Sequence, residues 1–292
     1  MPEENPLVSI LMTAYNREKY IAAAIESVLN STYTNFELII TDDLSKDNTL
    51  KIANHYASND ARIKVFVNQQ NLGDYPNRNK AATYATGKYL KYVDADDLIY
   101  PWGLQILVSC MEKNPTAGWG FCSLVQSAEQ PYPLFIPQKD IYRHHYFKAS
   151  IFHKAPLSSI IKKDLFDKVG GFMPYRMVGD NEMWHRLALN ENLLLMPDGI
   201  VWYREHEAQE VNSKMNYEHY YIAIKKFYLN LIEKNGLSNQ DIIQIQKIEK
   251  KRNWKNYLRS IVKLDFDYLF QEIKYLKMAK LVLKQGLPNT IV

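Results

Sequence analysis

Three carboxylates fall within four residues at the end of an apolar and aromatic run, KYLKYVDADD, residues 88–97. They are Asp94, Asp96 and Asp97. Packing gives no reason to gather them, because like charges repel and a desolvated charge is costly unless it is paired or metal-bound. Asp94 and Asp96 stand two apart, so an extended backbone points both to the same side. Carboxylates converging from one strand end suit a hard divalent cation such as Mg²⁺ or Mn²⁺. The competing reading is a solvated turn in which Asp96 or Asp97 caps the segment that begins near Leu98.

The elements that must position these groups are visible upstream. Residues 7–13 (LVSILMT), 36–41 (FELIIT), 62–67 (RIKVFV) and 88–93 are four apolar, strand-like runs. Tyr20, Ile21, Ala24, Ile25, Val28 and Leu29 recur at helical spacing after the first run. Residues 45–49 (SKDNT) open a second helix. Asn71-Leu72-Gly73 make a turn, and residues 78–86 form a third helix punctuated by Gly87. Strands alternating with helices predict βαβ units and a mostly parallel sheet, an α/β fold. Ligands of such sheets sit beyond the carboxyl ends of the strands. Polar residues collect there: Thr13 and Tyr15 after the first strand, Asp42 and Asp43 after the second, the carboxylate cluster after the fourth. Neither GxGxxG nor GxxxxGK[ST] occurs, so no dinucleotide fingerprint or phosphate loop is expected.

Beyond Asp97 the pattern is less regular. Helical spacing is expected over residues 100–114, 163–169 and 181–190. A strand is expected over 119–125, short apolar runs over 158–161, 193–196 and 200–203, and a Pro-rich surface loop over 130–138. From residue 217 onward the pattern is helical, with Tyr221, Ile224 and Tyr228 on one face, Trp254, Leu258, Ile261 and Val262 on another, and Leu269, Ile273 and Leu276 in a last helix. Hydrophobic content of 47% and charged content of 23% fit a soluble globular core. Cys110 and Cys122 lack metal-ligand spacing and read as buried thiols of a reducing compartment. The first residues show no secretory signal, and no run of about 18 apolar residues suggests a transmembrane helix. The net charge of +4 hides an asymmetry: residues 214–292 hold 15 Lys/Arg and 7 Asp/Glu, a net of +8, which leaves −4 for the rest. Such a tail favours an acidic partner. Packing on the rest of the protein or on a twin chain is preferred over a membrane surface, and no recognition motif points to nucleic acid.

With these residues laid out, the chain resembles the family 2 glycosyltransferases of GT-A fold over roughly residues 7–207. The resemblance rests on the opening VSILMTAYNREKYIAAAIESVLNSTYTNFELIITDDLSKDNT, then NLGDYPNRNKAATYATGKYLKYVDADD with its Asn-x-Gly turn, Arg-Asn helix and DxD motif, then FDKVGGF, GDNEMWHRL and WYREH. A lone DxD is frequent by chance; these landmarks in order are not. The resemblance implies a GT-A catalytic domain over residues 1–213, with its nucleotide-binding half about 1–97 and its acceptor half about 98–213, and a basic helical extension over 214–292. It implies inverting, metal-dependent transfer from a nucleotide-diphosphate sugar, foremost a UDP-sugar, to a glycan or lipid-linked acceptor in bacterial surface polysaccharide synthesis. The place would be the cytoplasm, with peripheral contact at the inner face of the membrane or a homodimer through 214–292.

Residue by residue, the resemblance places Thr13, Ala14, Tyr15, Arg17 and Asp43 at the nucleoside. Arg78 would approach the nucleotide or diphosphate, Asp94 and Asp96 would share the ribose and diphosphate contacts, and Asp96, Asp97 and His206 would meet Mn²⁺ or Mg²⁺. Asp180 would be the general base, with Glu182 as the nearby runner-up, although the family's Glu-Asp pair reads Gly179-Asp180 here. Simpler roles stand beside these. Asp180 could be an N-cap, Arg78 a solvated first-turn residue, His206 a structural histidine, His144 and His145 surface residues, and Trp184 and Trp202 core or acceptor-platform residues. Two other classes are a sugar nucleotidyltransferase, whose Gly-rich loop residues 12–20 lack, and a non-catalytic sugar-nucleotide-binding scaffold.

Overall fold

The computed structural model describes residues 5–262 apart from residues 126, 208–223, 226, 230 and 232–235. The expected last helix with Leu269, Ile273 and Leu276, the residue Tyr221 and the side chains of Trp254, Leu258, Ile261 and Val262 lie outside the described residues.

The first half forms β1 (Val8–Ala14), α1 (Ile21–Leu29), β2 (Phe36–Asp42), α2 (Thr49–Ala57), β3 (Ile63–Val67), α3 (Asp74–Thr83) and β4 (Tyr89–Tyr92). The second half adds β5 (Leu98–Ile99), α4 (Gly103–Lys113), β6 (Ala117–Leu124), β7 (Leu134–Ile136), α5 (Ile141–Phe147), β8 (Ser159–Lys162), α6 (Lys163–Val169), α7 (Gly179–Asn190), β9 (Asn192–Pro197), β10 (Val201–Trp202) and α8 (Asn239–Val262). Among the described residues one eight-stranded sheet runs β3-β2-β1-β4-β8-β6-β9-β7, and β5 pairs separately with β10. The strands β3, β2, β1 and β4 are mutually parallel, as the alternating pattern predicts; β8 joins them antiparallel.

Both faces of β1 are covered, which is why it reads as a continuous apolar run. Val8, Ile10 and Met12 pack with Ile21, Ala24, Ile25 and Val28 of α1, while Leu11 packs with Ala81 and Ala82 of α3 on the opposite face. Because β1 lies between β2 and β4, the connections leave it in opposite directions. The crevice beyond its carboxyl end is therefore a topological switch point, where ligands of open α/β sheets bind. Register levels the strand ends there: Ala14 pairs with Asp42, and the β1–β4 ladder continues through Val93 N–H to Leu11 O (3.0 Å) and Ala95 N–H to Thr13 O (3.4 Å).

The opposite end of β4 is seated by a buried knot. Glu37 Oε1 accepts from Ser9 Oγ (2.6 Å), Thr86 N–H (2.7 Å) and Thr86 Oγ1 (2.9 Å), and Glu37 Oε2 accepts from Lys64 Nζ (2.7 Å). Although burial opposes ionisation, these donors together hold the Glu37 carboxyl down to about 2. Gly87 does not end α3 through a left-handed conformation, as its position suggested; its φ is not positive. It is glycine because a Cβ would stand 2.6 Å from Ser9 N and 2.7 Å from Leu7 O. Gly87→Ala should thus push β4 away from β1 and cost about 1–3 kcal/mol, seen as a lower denaturant midpoint. An unchanged midpoint would show that the strands absorb the methyl.

Three local readings are corrected. The Pro-rich stretch 130–138 is not only a loop: Leu134–Ile136 form the edge strand β7, with Pro133 and Pro137 just outside it, where a missing N–H does no harm. His145 is buried rather than on the surface, stacked on Phe152 at 4.2 Å and accepting from Ile151 N–H at 3.0 Å. Helix α3 starts at Asp74, four residues earlier than expected, entered through Gly73 at φ +82°.

In the tail, Ile224, Tyr228, Leu229, Leu237 and Ile245 join the same core as Trp184 and Leu187. Among the described residues no helix is long and apolar enough to cross a membrane.

Candidate active site

The carboxylate turn follows β4 directly and does not cap a helix. Asp97 N–H donates to Asp94 O (3.0 Å), and the chain then enters β5, whose partner β10 returns Arg204 and His206 to the turn. Each carboxylate meets its own partner. Arg78 forks onto Asp94 (Nη1–Oδ1 2.6 Å, Nη2–Oδ2 3.0 Å), and Thr13 Oγ1 donates to Asp94 Oδ1 (3.4 Å). Arg17 Nε donates to Asp96 Oδ2 (2.7 Å), which also lies 3.0 Å from His206 Nε2. Asp97 Oδ1 accepts from Arg204 N–H (2.9 Å), and Arg204 Nε donates to Asp96 O (2.8 Å). Asp97 is buried, and desolvation with Asp94 alongside pushes its carboxyl well up from the usual range. Among the described residues no group of three or more His, Cys, Asp or Glu side chains is arranged to hold a metal ion.

Arg78 is buried, not solvated. Its Nε donates to Asp74 Oδ1 one helical turn back (2.8 Å), completing an Asp74–Arg78–Asp94 chain. The neighbouring Asn79 exchanges two hydrogen bonds with the backbone of Phe172, at 2.7 and 2.8 Å, and so ties α3 to the Gly170-Gly171 turn of the second half. Asn79 is a residue the sequence reading passed over, although it is the Asn of the Arg-Asn pair. Asp74 could have been found from its i,i+4 spacing to Arg78.

At the end of β2, the Asp43 carboxylate accepts from Asn68 Nδ2 (2.7 Å), Leu72 N–H (2.8 Å) and Gly73 N–H (2.9 Å). It therefore fixes the Asn-x-Gly turn as the entry to α3, and a carboxylate has room for one further donor. Ala14 is buried and its carbonyl accepts from Asp43 N–H (2.8 Å), while Tyr15 is 41% exposed at the mouth of the crevice. The rest of this loop is laced to the loop after β2 and to the start of α2 through Asn16 N–H to Ser45 Oγ (2.9 Å) and Arg17 N–H to Thr49 Oγ1 (2.7 Å).

Asp180 stands in the first turn of α7, where the helix dipole favours a carboxylate, and it is not the N-cap. Burial, with Asp74 nearby, pushes its carboxyl up to about 6 against hydrogen bonds from Asn181 N–H and Tyr75 and the charge of Arg78. Those neighbours place it beside the Asp74–Arg78 pair. Gly179 replaces the family's acid because a Cβ there would stand 2.7 Å from both Met173 O and the Tyr75 ring. Glu182, the runner-up base, is fully engaged elsewhere: it is 2% exposed, ion-paired with Arg186 (2.6 Å) and accepts from Tyr228 Oη (2.6 Å). Trp184 is core, whereas Trp202 is 41% exposed with the Arg204 guanidinium 4.8 Å over its ring.

This arrangement can be set against known proteins. Residues 9–184 match the model of glycosyl transferase family 2. An Escherichia coli relative, named UDP-Glc:alpha-D-GlcNAc-diphosphoundecaprenol beta-1,3-glucosyltransferase WfgD, is 42% identical over 196 residues, 67% of this chain and 75% of that protein. The structure of residues 1–349 of S. aureus TarS in complex with UDP-GlcNAc superposes with a TM-score of 0.64 at 20% identity, covering 82% of this chain and 70% of that fragment. A mannosyltransferase from Pyrobaculum calidifontis, solved with GDP-Man and Mn²⁺, superposes with a TM-score of 0.58 at 18% identity over 85% of this chain and 70% of that one. These likenesses confirm the α/β GT-A architecture with its sheet flanked by helices. The chain belongs to glycosyl transferase family 2 and is a glycosyltransferase.

Proposed function

We infer that the protein is an inverting, metal-dependent transferase that moves a sugar from a UDP-sugar to a hydroxyl of a lipid-linked or glycan acceptor in bacterial surface polysaccharide synthesis. The observation that carries this reading is the Asp94–Asp97 turn at the switch point, with Asp180 electrostatically joined to it through Arg78 and Asp74. The UDP-glucose donor and diphosphoundecaprenol-linked acceptor in the name of WfgD support the choice of substrates.

On this reading Thr13, Ala14, Tyr15, Arg17 and Asp43 frame the nucleoside, and Arg78 and Asp94 lie toward the nucleotide. Residues 1–97 form the nucleotide half, 98–213 the acceptor half and 214–292 an extension. Asp96, Asp97 and His206 would supply two hard oxygen donors and an imidazole to a divalent ion, and Asp97 is buried beside two other carboxylates. That is too few ligands for an all-protein cage, as expected where substrate phosphates complete the shell. Bound there, the ion would offset the charge developing on the leaving diphosphate. Asp180 takes the proton from the acceptor hydroxyl as that oxygen attacks the anomeric carbon and the nucleoside diphosphate leaves. Attack from the face opposite the leaving group inverts the anomeric centre.

Turnover of a UDP-sugar panel should therefore require Mn²⁺ or Mg²⁺ and stop on chelation. Asp96→Asn should weaken metal-dependent UDP binding by about 10- to 100-fold. Turnover that continues undiminished in EDTA would remove the ion from the reaction.

A further inference from the structure

Glu182 follows Asp180 by two residues on α7 and is turned into the core. A buried carboxylate must have its charge answered locally. Arg186, one turn on, answers it: Nε lies 2.7 and 2.9 Å from the two Glu182 oxygens, and Nη2 lies 2.6 Å from Oε2. The same guanidinium donates to Val169 O through Nη1 and to Gly171 O through Nη2 (2.7 Å), so it clasps the turn that ends α6. The next residue, Phe172, is the one that Asn79 of α3 holds by two hydrogen bonds. One run of polar contacts therefore fastens the helix that carries Asp180 to the helix that carries Arg78. The last donor in this run comes from the tail. Tyr228 Oη donates to Glu182 Oε1 (2.6 Å), and its ring stacks on His185 at 4.8 Å and 4°. The seat of Tyr228 does not depend on that hydroxyl. Ile224 and Leu229 are buried in the core on either side of it, Lys225 Nζ lies 5.4 Å over the Tyr146 ring, and Arg143 pairs with Asp241 further along.

We propose that Tyr228 is a positioning residue for glycosyl transfer: through Glu182 and Arg186 the tail fixes where the Asp180 turn stands relative to the donor crevice. This rests on the reading of Asp180 as the base. Tyr228 acts through α7 and not on the substrates. Its hydroxyl completes the hydrogen bonding of the Glu182 carboxylate, and without it the Glu182–Arg186 clasp loses one of its fixed points. A small displacement of a base from the reacting atoms costs far more in rate than in donor affinity. Donor affinity rests on the strand ends of the first half, which the clasp reaches only through Asn79.

The test compares wild type with Tyr228→Phe, Glu182→Gln, the double variant and Asp180→Asn at a temperature where all are folded. Steady-state UDP release is followed from whichever UDP-sugar of the panel wild type turns over fastest, and UDP affinity is measured by calorimetry with Mn²⁺. Tyr228→Phe keeps the ring and its stacking. Its kcat should fall about ten- to a hundredfold, while its Kd for UDP stays within about twofold of wild type. The acid limb set by Asp180 should remain, because the base itself is intact. The double variant should be no slower than Glu182→Gln, since the hydroxyl acts only through that carboxylate. Tyr228→Phe decides the matter even where Glu182→Gln does not fold. A wild-type kcat in folded Tyr228→Phe, with only its Tm lowered, would make the tail a mere structural support and overturn the proposal. A parallel loss of UDP affinity, or additive losses in the double variant, would overturn it as well. Parent-rate turnover by Asp180→Asn would bring down the base reading and this proposal with it, whereas an impaired Asp180→Asn beside an unimpaired Tyr228→Phe rejects this proposal alone.

Discussion

Asp180→Asn should lower sugar transfer by about 10²- to 10⁴-fold, the usual weight of a general base, while UDP-sugar binding stays close to wild type. The amide keeps the shape of the side chain but cannot take the acceptor's proton. Asp180 also predicts its own pH dependence. Burial raises its carboxyl to about 6, so the base is ionised above that value and is lost as pH falls through it. In wild type kcat/KM should fall on the acid side with an apparent pKa near that value, and the residual activity of the Asn variant should lack this limb. Glu182→Gln should behave differently. Its carboxylate is bound to Arg186 and Tyr228, so that substitution should lower stability rather than selectively remove a proton-transfer step. Transfer by Asp180→Asn at the parent rate would exclude Asp180 as the base.

Arg78→Met should be the most destabilising single change at the site. The guanidinium side chain is 8% exposed and is shared by Asp94 and Asp74, which are 18% and 33% exposed. Removing a buried cation leaves two partly desolvated carboxylates facing each other, a loss of about 3 kcal/mol after allowing for the partial exposure of the acids. In a chain of this size that corresponds to a drop in Tm of about 5–10 °C. UDP binding should weaken too, because Asp94 loses the fork that orients it. Arg78→Lys should rescue little, since an ammonium cannot bridge both carboxylates in the plane that the guanidinium does. An unchanged Tm for Arg78→Met would mean that solvent already satisfies Asp94.

The parallel half of the fold was legible because its signal is local. Four apolar runs separated by helical spacing leave few arrangements, and a parallel sheet puts Thr13, Asp43 and Asp94 at one end whatever the details. The pairing inside the site was not legible, because it depends on register and on returning segments. Asp94 meets Arg78 through the α3–β4 packing, but Asp96 and Asp97 meet Arg204 and His206 only because β10 pairs with β5 more than a hundred residues later. Glu182 illustrates a different limit. One turn of helix separates it from Arg186, a spacing visible in the sequence, yet its second partner is Tyr228 in the tail. Gly179 shows the converse. An apparent departure from the family's acidic pair becomes a steric necessity once Tyr75 is seen against it.

The most direct test of the donor site is the affinity of wild-type protein for UDP, measured by calorimetry with saturating Mn²⁺ and again in EDTA, and repeated with Asp97→Asn. If the strand-end carboxylates bind the donor diphosphate through a divalent ion, Mn²⁺ should tighten UDP binding by at least about tenfold, and Asp97→Asn should abolish most of that gain. Equal affinities with Mn²⁺ and EDTA, or an undiminished Mn²⁺ effect in Asp97→Asn, would contradict that assignment of the Asp94–Asp97 turn.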